Sequence, residues 1–150
     1  MQKVTIKQLQ NLNNPYQQFN KYKRVLCVCD AGLLRSATIA KVLTETYNYN
    51  TLFAGTEETA LIPITEALIY WADEIVCAEE HHKKNILNDI KDTFGVDHSL
   101  NKETKNKIVV LKIPDRYEYN NEELVKLILI NYEKFKKVRK KDSKIGKNKF

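Results

Sequence analysis

The stretch "RVLCVCDAGLLRSATIAKVL", residues 24–43, decides how this chain is read. Val25–Cys29 is an apolar, valine-rich run, too short for a helix and suited to a buried strand. Gly32 lies in the loop that follows, where a tight turn leaves little room for a side chain. Arg35 and Ser36 come next, and an alanine-containing helical pattern extends over Ser36–Tyr47. A helix placed directly after such a loop turns its unpaired N–H groups and positive dipole end toward it, which makes an anion site. Successive loop N–H groups can wrap a tetrahedral phosphate. Arg35 adds a planar fork for two phosphate oxygens. A cysteine at the strand end, in that positive field, is favoured as a thiolate. Ser36 can donate its hydroxyl to the sulfur. Cys29 therefore reads as a nucleophile facing phosphate. The competing reading is a buried strand cysteine beside an unrelated arginine.

Outward from this stretch, three more short apolar runs read as strands: 51–55, 74–78 and 107–113. Helical patterns separate or follow them at Ile64–Trp71 (just after Pro63), at 79–91, and at Asn121–Val138, where Leu124, Leu127, Ile128 and Tyr132 recur at helical spacing. The polar stretch 92–106 reads as a loop. The order βαβαβαβα predicts a three-layer α/β sandwich around a parallel sheet, with the phosphate-binding loop after the first strand. Ligands of such sheets bind beyond the carboxyl ends of the strands.

The chain has 150 residues and a formal charge of +6, which suits one soluble domain. That charge sits at the ends: residues 1–24 carry five Lys/Arg and no acid, and 139–150 carry six against one Asp, so the body between them is net negative. We divide the chain into an N-terminal extension (1–23), a central α/β domain (24–138) and a basic C-terminal tail (139–150). The basic ends would suit nucleic acid or an acidic surface, and equally a solubilising tail. No apolar run approaches the roughly 20 residues of a membrane span, and the first residues lack the apolar core of a signal peptide. Three cysteines without CxxC or zinc spacing point to free thiols in a reducing, cytoplasmic setting and to no metal. Cys77 reads as a buried hydrophobe, Trp71 as core, and His81 and His82 as an exposed helix start.

C-x5-R-S is the signature loop of cysteine-dependent phosphatases. "CDAGLLRSATI" resembles the dual-specificity enzymes, but those carry their general acid upstream, and residues 1–28 contain no Asp or Glu. The chain instead resembles the low-molecular-weight protein tyrosine phosphatases, in a divergent bacterial and phage branch. "VLCVC" is similar to their "VLFVC", "FAGTEE" to their S-A-G-T stretch, and "WADEIVCAEEHHKKNI" to A-D-x-I-x-x-M-x-x-x-H; "VLKIPDRYEYNNEELVKLI" looks like the branch. The resemblance covers about residues 24–132. It implies sheet order 2-1-3-4 and hydrolysis of phosphomonoesters, above all phosphotyrosine, through a phosphocysteine, without cofactor. It also implies a phosphorylated protein or small phosphoester as partner.

By the same resemblance Cys29 is the nucleophile and Asp115, after Pro114, the general acid, with Asp97 and Asp92 as runners-up. Asp30, Ala31, Gly32, Leu33, Leu34, Arg35 and Ser36 form the phosphate loop, and Tyr117 or Tyr119 a pocket wall. The chain departs from the family loop C-x-G-N-x-C-R-S. Gly32 replaces the bracing Asn, Leu34 replaces a second cysteine, and "IPDRYEY" stands in place of D-P-Y. Cysteine phosphocarriers of sugar phosphotransferase systems have a similar loop but lack the arginine. Arsenate reductases need relay cysteines beyond Cys77. An RNA 5′-phosphatase or an inactive binding module is the remaining alternative. Asp30 is the unusual residue: turned inward it repels substrate and disfavours the thiolate, and turned outward it costs little.

Overall fold

The computed structural model describes residues 22–148, with side chains over 22–140. The N-terminal extension, apart from its last two residues, lies outside the described residues. Four parallel strands, β1 (Arg24–Cys29), β2 (Asn50–Gly55), β3 (Glu74–Cys77) and β4 (Ile108–Val110), form one sheet in the order β2-β1-β3-β4. This is the order the resemblance implied. β1 is central, with Cys29 opposite Gly55 on one side and Val28 opposite Cys77 on the other. Side chains alternate across a strand. Val25, Cys27 and Cys29 therefore share one core with Ile39, Leu43, Leu124, Ile128 and Tyr132, while Leu26 and Val28 share the other with Ile69, Ile86, Ile90 and Leu100.

The first core lies under α1 (Arg35–Tyr47) and α5 (Glu122–Asn148), the second under α2 (Glu66–Trp71), α3 (Glu80–Phe94) and α4 (Ser99–Lys107). Trp71 and Cys77 are buried in the second. Burial pushes the Cys77 thiol pKa up, so this cysteine stays a neutral hydrophobe. Local chemistry sets the helix ends. Asn48 stops α1 in a left-handed conformation. Asn121 Oδ1 accepts the amides of Glu123 and Leu124 to start α5.

Three expectations are corrected. Residues 92–106 are not a loop: α3 runs to Phe94, and α4 follows a short turn at Gly95, with His98 Nδ1 accepting the Leu100 amide as its cap. Helix α2 does not start at Pro63. It starts after Thr65, whose hydroxyl accepts the Leu68 amide, and Pro63 bridges to Gly55 instead. The fourth strand stops at Val110, because Lys112 takes a φ of 56° and kinks the chain. Leu111 and Ile113 still donate their amides to Cys77 and Ala78. Pro114 and Asp115 are thereby carried past the carboxyl end of β3. The basic segment from Arg139 continues in the same helix as residues 122–138. At the opposite end of the sheet, buried Glu74 binds Lys23, Arg139 and the Tyr132 hydroxyl, which pins α5 to β1 and β3.

Candidate active site

Residues 30–34 form the loop between β1 and α1. Three successive carbonyls at its start are engaged on one side: Cys29 O accepts from Thr56 N, Asp30 O from Glu57 N and Ala31 O from Leu61 N. In trans peptides the following N–H points opposite to each carbonyl. The amides of Asp30, Ala31 and Gly32 therefore face the other side of the loop. Gly32 turns the chain with φ 70°, and a Cβ there would lie 2.8 Å from Gly55 N. A Cβ on Gly55 would lie 2.4 Å from Asp30 O. The two glycines let the loop rest directly on the end of β2.

Cys29 Sγ lies 3.1 Å from Ser36 Oγ, a buried hydroxyl positioned to donate to a thiolate. Arg35 is 2% exposed. Its guanidinium is divided between two sets of partners. Nη1 donates to Glu79 Oε2 at 2.5 Å and to Ile113 O at 2.8 Å. The opposite edge, Nε and Nη2, is the one that presents two parallel donors. There Nη2 donates to Asp30 Oδ2 at 2.9 Å, and Asp115 Oδ1 stands 3.6 Å from Nε. Asp30 thus turns inward, onto Arg35.

Asp30 Oδ1 is held by His81 Nε2 at 2.7 Å and His82 Nε2 at 3.0 Å. The reading of both histidines as an exposed helix start is corrected here. His81 is half exposed, but His82 is fully buried, and both reach the loop because β3, which leads into α3, is the neighbour of β1. His82 closes a capping box: its Nδ1 accepts the Glu79 amide at 2.9 Å, and the Glu79 side chain accepts the His82 amide in return. Burial lowers the His82 pKa, against the raising charge of Asp30. The ring is therefore neutral, with its proton on Nε2, donated to Asp30. Burial alone would raise the Asp30 carboxyl, but hydrogen bonds and charge from the two histidines outweigh it and hold it below the usual carboxylate range.

Asp30, Glu79, His81 and His82 bring four ligand atoms within 4.8 Å of one another. As arranged, His82 Nε2 carries the ring proton, and one oxygen of each carboxylate, Asp30 Oδ2 and Glu79 Oε2, is engaged by Arg35.

The remaining predicted residues separate clearly. Asp115 is exposed at the mouth beside Arg35. Asp92 and Asp97 fall at and beyond the last turn of α3, the end opposite His81 and His82, roughly 15 Å or more along the helix. They do not join the site. Tyr117 is buried, in the same core cluster as Cys29, with Arg116 over its ring. Tyr119 is exposed and, with Leu33, Ala37 and Leu61, lines an open hollow of about 450 Å³ beside the loop. Leu33 and Leu34 are each 45% exposed at the loop crown. Sequence reasoning missed Glu79, His81 and His82. The signal was His82, which ends the A-D-x-I-x-x-M-x-x-x-H segment, at the start of the helix that follows the strand beside β1.

A cysteine at the end of a central parallel strand, followed by an anion-binding loop and an arginine, defines the architecture of the low-molecular-weight protein tyrosine phosphatases, and this chain has that fold. It superposes on the Vibrio vulnificus protein Wzb in complex with benzylphosphonate, with TM-score 0.53 and 19% identity over 80% of this chain and 99% of that one. The Erwinia amylovora tyrosine phosphatase amsI gives TM-score 0.57 and 16% identity, over 78% and 93% of the two chains. The low molecular weight protein tyrosine phosphatase SP-PTP of Streptococcus pyogenes gives 0.56 and 15%, over 75% and 90%. The sequence itself matches no protein-family profile and no curated protein. Among the described residues, no helix is long and apolar enough to cross a membrane.

Proposed function

We propose that the protein is a cysteine-dependent phosphatase that hydrolyses aryl phosphomonoesters, phosphotyrosine above all, in a reducing cytoplasmic setting. The observation that carries this reading is the joint placement of Cys29 Sγ on Ser36 Oγ and of a buried Arg35 whose two-donor edge faces the loop mouth. In the first step the Cys29 thiolate attacks phosphorus and the P–O bond to the leaving group breaks. Asp115, protonated, gives its proton to the leaving oxygen. The amides of Asp30, Ala31 and Gly32, with the rest of the loop through Leu33, Leu34 and Ser36, and Arg35 hold the charge on the equatorial oxygens. In the second step water attacks the phosphocysteine and gives a proton to the Asp115 carboxylate. Phosphate leaves and the thiolate returns, steadied by the Ser36 hydroxyl. The apolar rim of Leu33, Leu34, Leu61 and Tyr119 suits an aromatic leaving group.

The test is turnover of p-nitrophenyl phosphate from pH 5 to 8 by the full chain. Wild-type protein is expected to release p-nitrophenol and Cys29→Ser to release none. Absence of turnover by folded wild-type protein, or equal turnover by Cys29→Ser, overturns the reading.

A further inference from the structure

Arg35 carries a division of labour that the phosphatase reading does not use. Its Nη1 side is anchored by Glu79 Oε2 and Ile113 O, so the guanidinium plane is held without help from the loop. Its working edge is already occupied: Asp30 Oδ2 sits 2.9 Å from Nη2. Asp30 is therefore not needed to orient the arginine. It stands where a phosphate oxygen would stand.

We propose that Asp30 is an internal competitor, a carboxylate ligand of Arg35 that the phosphoryl group of a substrate must displace before it can reach Cys29. The proposal rests on the phosphatase reading for its function, but the contact it concerns is a binding equilibrium. His81 and His82 make the exchange reversible. Both hold Oδ1, while only Oδ2 touches Arg35. Asp30 can release Nη2 and keep its hold on the two imidazoles. A phosphoryl dianion brings two charges and several oxygens to the vacated edge and to the loop amides, where the carboxylate brings one charge and one oxygen. The cost is paid by every ligand, so Asp30 holds down affinity for phosphate and favours release of product.

The experiment compares inorganic phosphate binding to full-length Cys29→Ser protein with and without Asp30→Asn, by titration calorimetry at pH 7. Asn keeps an oxygen for His82 Nε2–H and removes the charge from Arg35. Losing a charge-assisted competitor of this kind is expected to tighten phosphate binding about tenfold. Glu79→Gln removes an equal charge from the anchored side and is expected to tighten it by much less. Asp30→Ala is read the same way should Asp30→Asn fail to fold. Unchanged or weaker phosphate binding in the Asp30 variants overturns the proposal, as does equal tightening by Glu79→Gln, which would mean general electrostatics. Turnover of p-nitrophenyl phosphate by wild type is scored separately. An active enzyme with unchanged phosphate affinity in the Asp30 variants sinks this inference alone, and an inactive one sinks the enzyme reading alone.

Discussion

Replacing Gly55 by alanine tests whether the phosphate loop is held by its contact with β2. The new methyl would lie 2.4 Å from Asp30 O, 2.7 Å from Ala31 C and 2.7 Å from the Ala60 methyl. Two of these neighbours are backbone atoms of the loop, and no side-chain rotation relieves them. The same loop segment is tied down by Thr56 N, Glu57 N and Leu61 N, so it must move as a unit. Overpacking of this kind costs about 1–3 kcal/mol. In a chain of this size that lowers the melting temperature by roughly 2–4 °C per kcal/mol. The effect on chemistry should be larger, because a displacement of about 1 Å in a positioning element costs about 100-fold in rate. Gly95→Ala is the matched control. Its φ is 96° but nothing lies within 4 Å of the added Cβ, so only backbone strain of about 1–3 kcal/mol applies, far from the loop. The assays are thermal unfolding and kcat/KM on p-nitrophenyl phosphate. Gly55→Ala at wild-type kcat/KM, or a loss of activity shared equally by Gly95→Ala, would refute the reasoning.

Two further outcomes follow from the site. Asp115→Asn should slow hydrolysis of alkyl phosphates about 100-fold or more and of p-nitrophenyl phosphate much less, since a good leaving group needs little protonation; a series of leaving groups compared by kcat checks this, and equal losses throughout would remove Asp115 as the acid. Stability should fall as pH drops below 6.5, because burial lowers the His82 pKa beneath its ordinary 6.5 despite Asp30, and the unfolded chain then binds the extra proton. The contribution is fully present above 6.5 and lost toward the folded pKa; urea midpoints from pH 7.5 to 5 should show this slope, flattened in His82→Gln, where Asp30, His81 and Arg35 still face the position.

The sheet was legible because each of its strands is a short apolar run and the central one alternates between two helix-covered faces. The loop between the first strand and its helix was legible because Cys29, Gly32, Arg35 and Ser36 lie within eight residues. Helix α4 was not, because only Leu100 and Thr104 of its nine residues are buried, too few for a periodic signal. Its end is fixed by distant partners: Lys107 Nζ reaches the carbonyls of Ile69 and Ala72. The far half of the site was hidden for a related reason. Glu79, His81 and His82 are 43 to 53 residues from the loop they serve, and only the parallel pairing of β1 with β3 brings them to it.

The charge arrangement explains why this loop tolerates an aspartate beside Cys29. A guanidinium buried as deeply as that of Arg35 costs several kcal/mol unless its donors are met. In the free protein the Nη1 side is met by Glu79 and Ile113 O, and the working edge by Asp30 with Asp115 nearby. The bracing Asn of related loops is absent, and the chain uses a different brace: Gly32 pressed on Gly55 for the backbone, and His82–Asp30 for the side chains. Lysine could not serve at position 35, since one ammonium cannot face the anchor and the mouth at once. The inward turn of Asp30 thus balances the arginine, and the two histidines hold the other carboxylate oxygen.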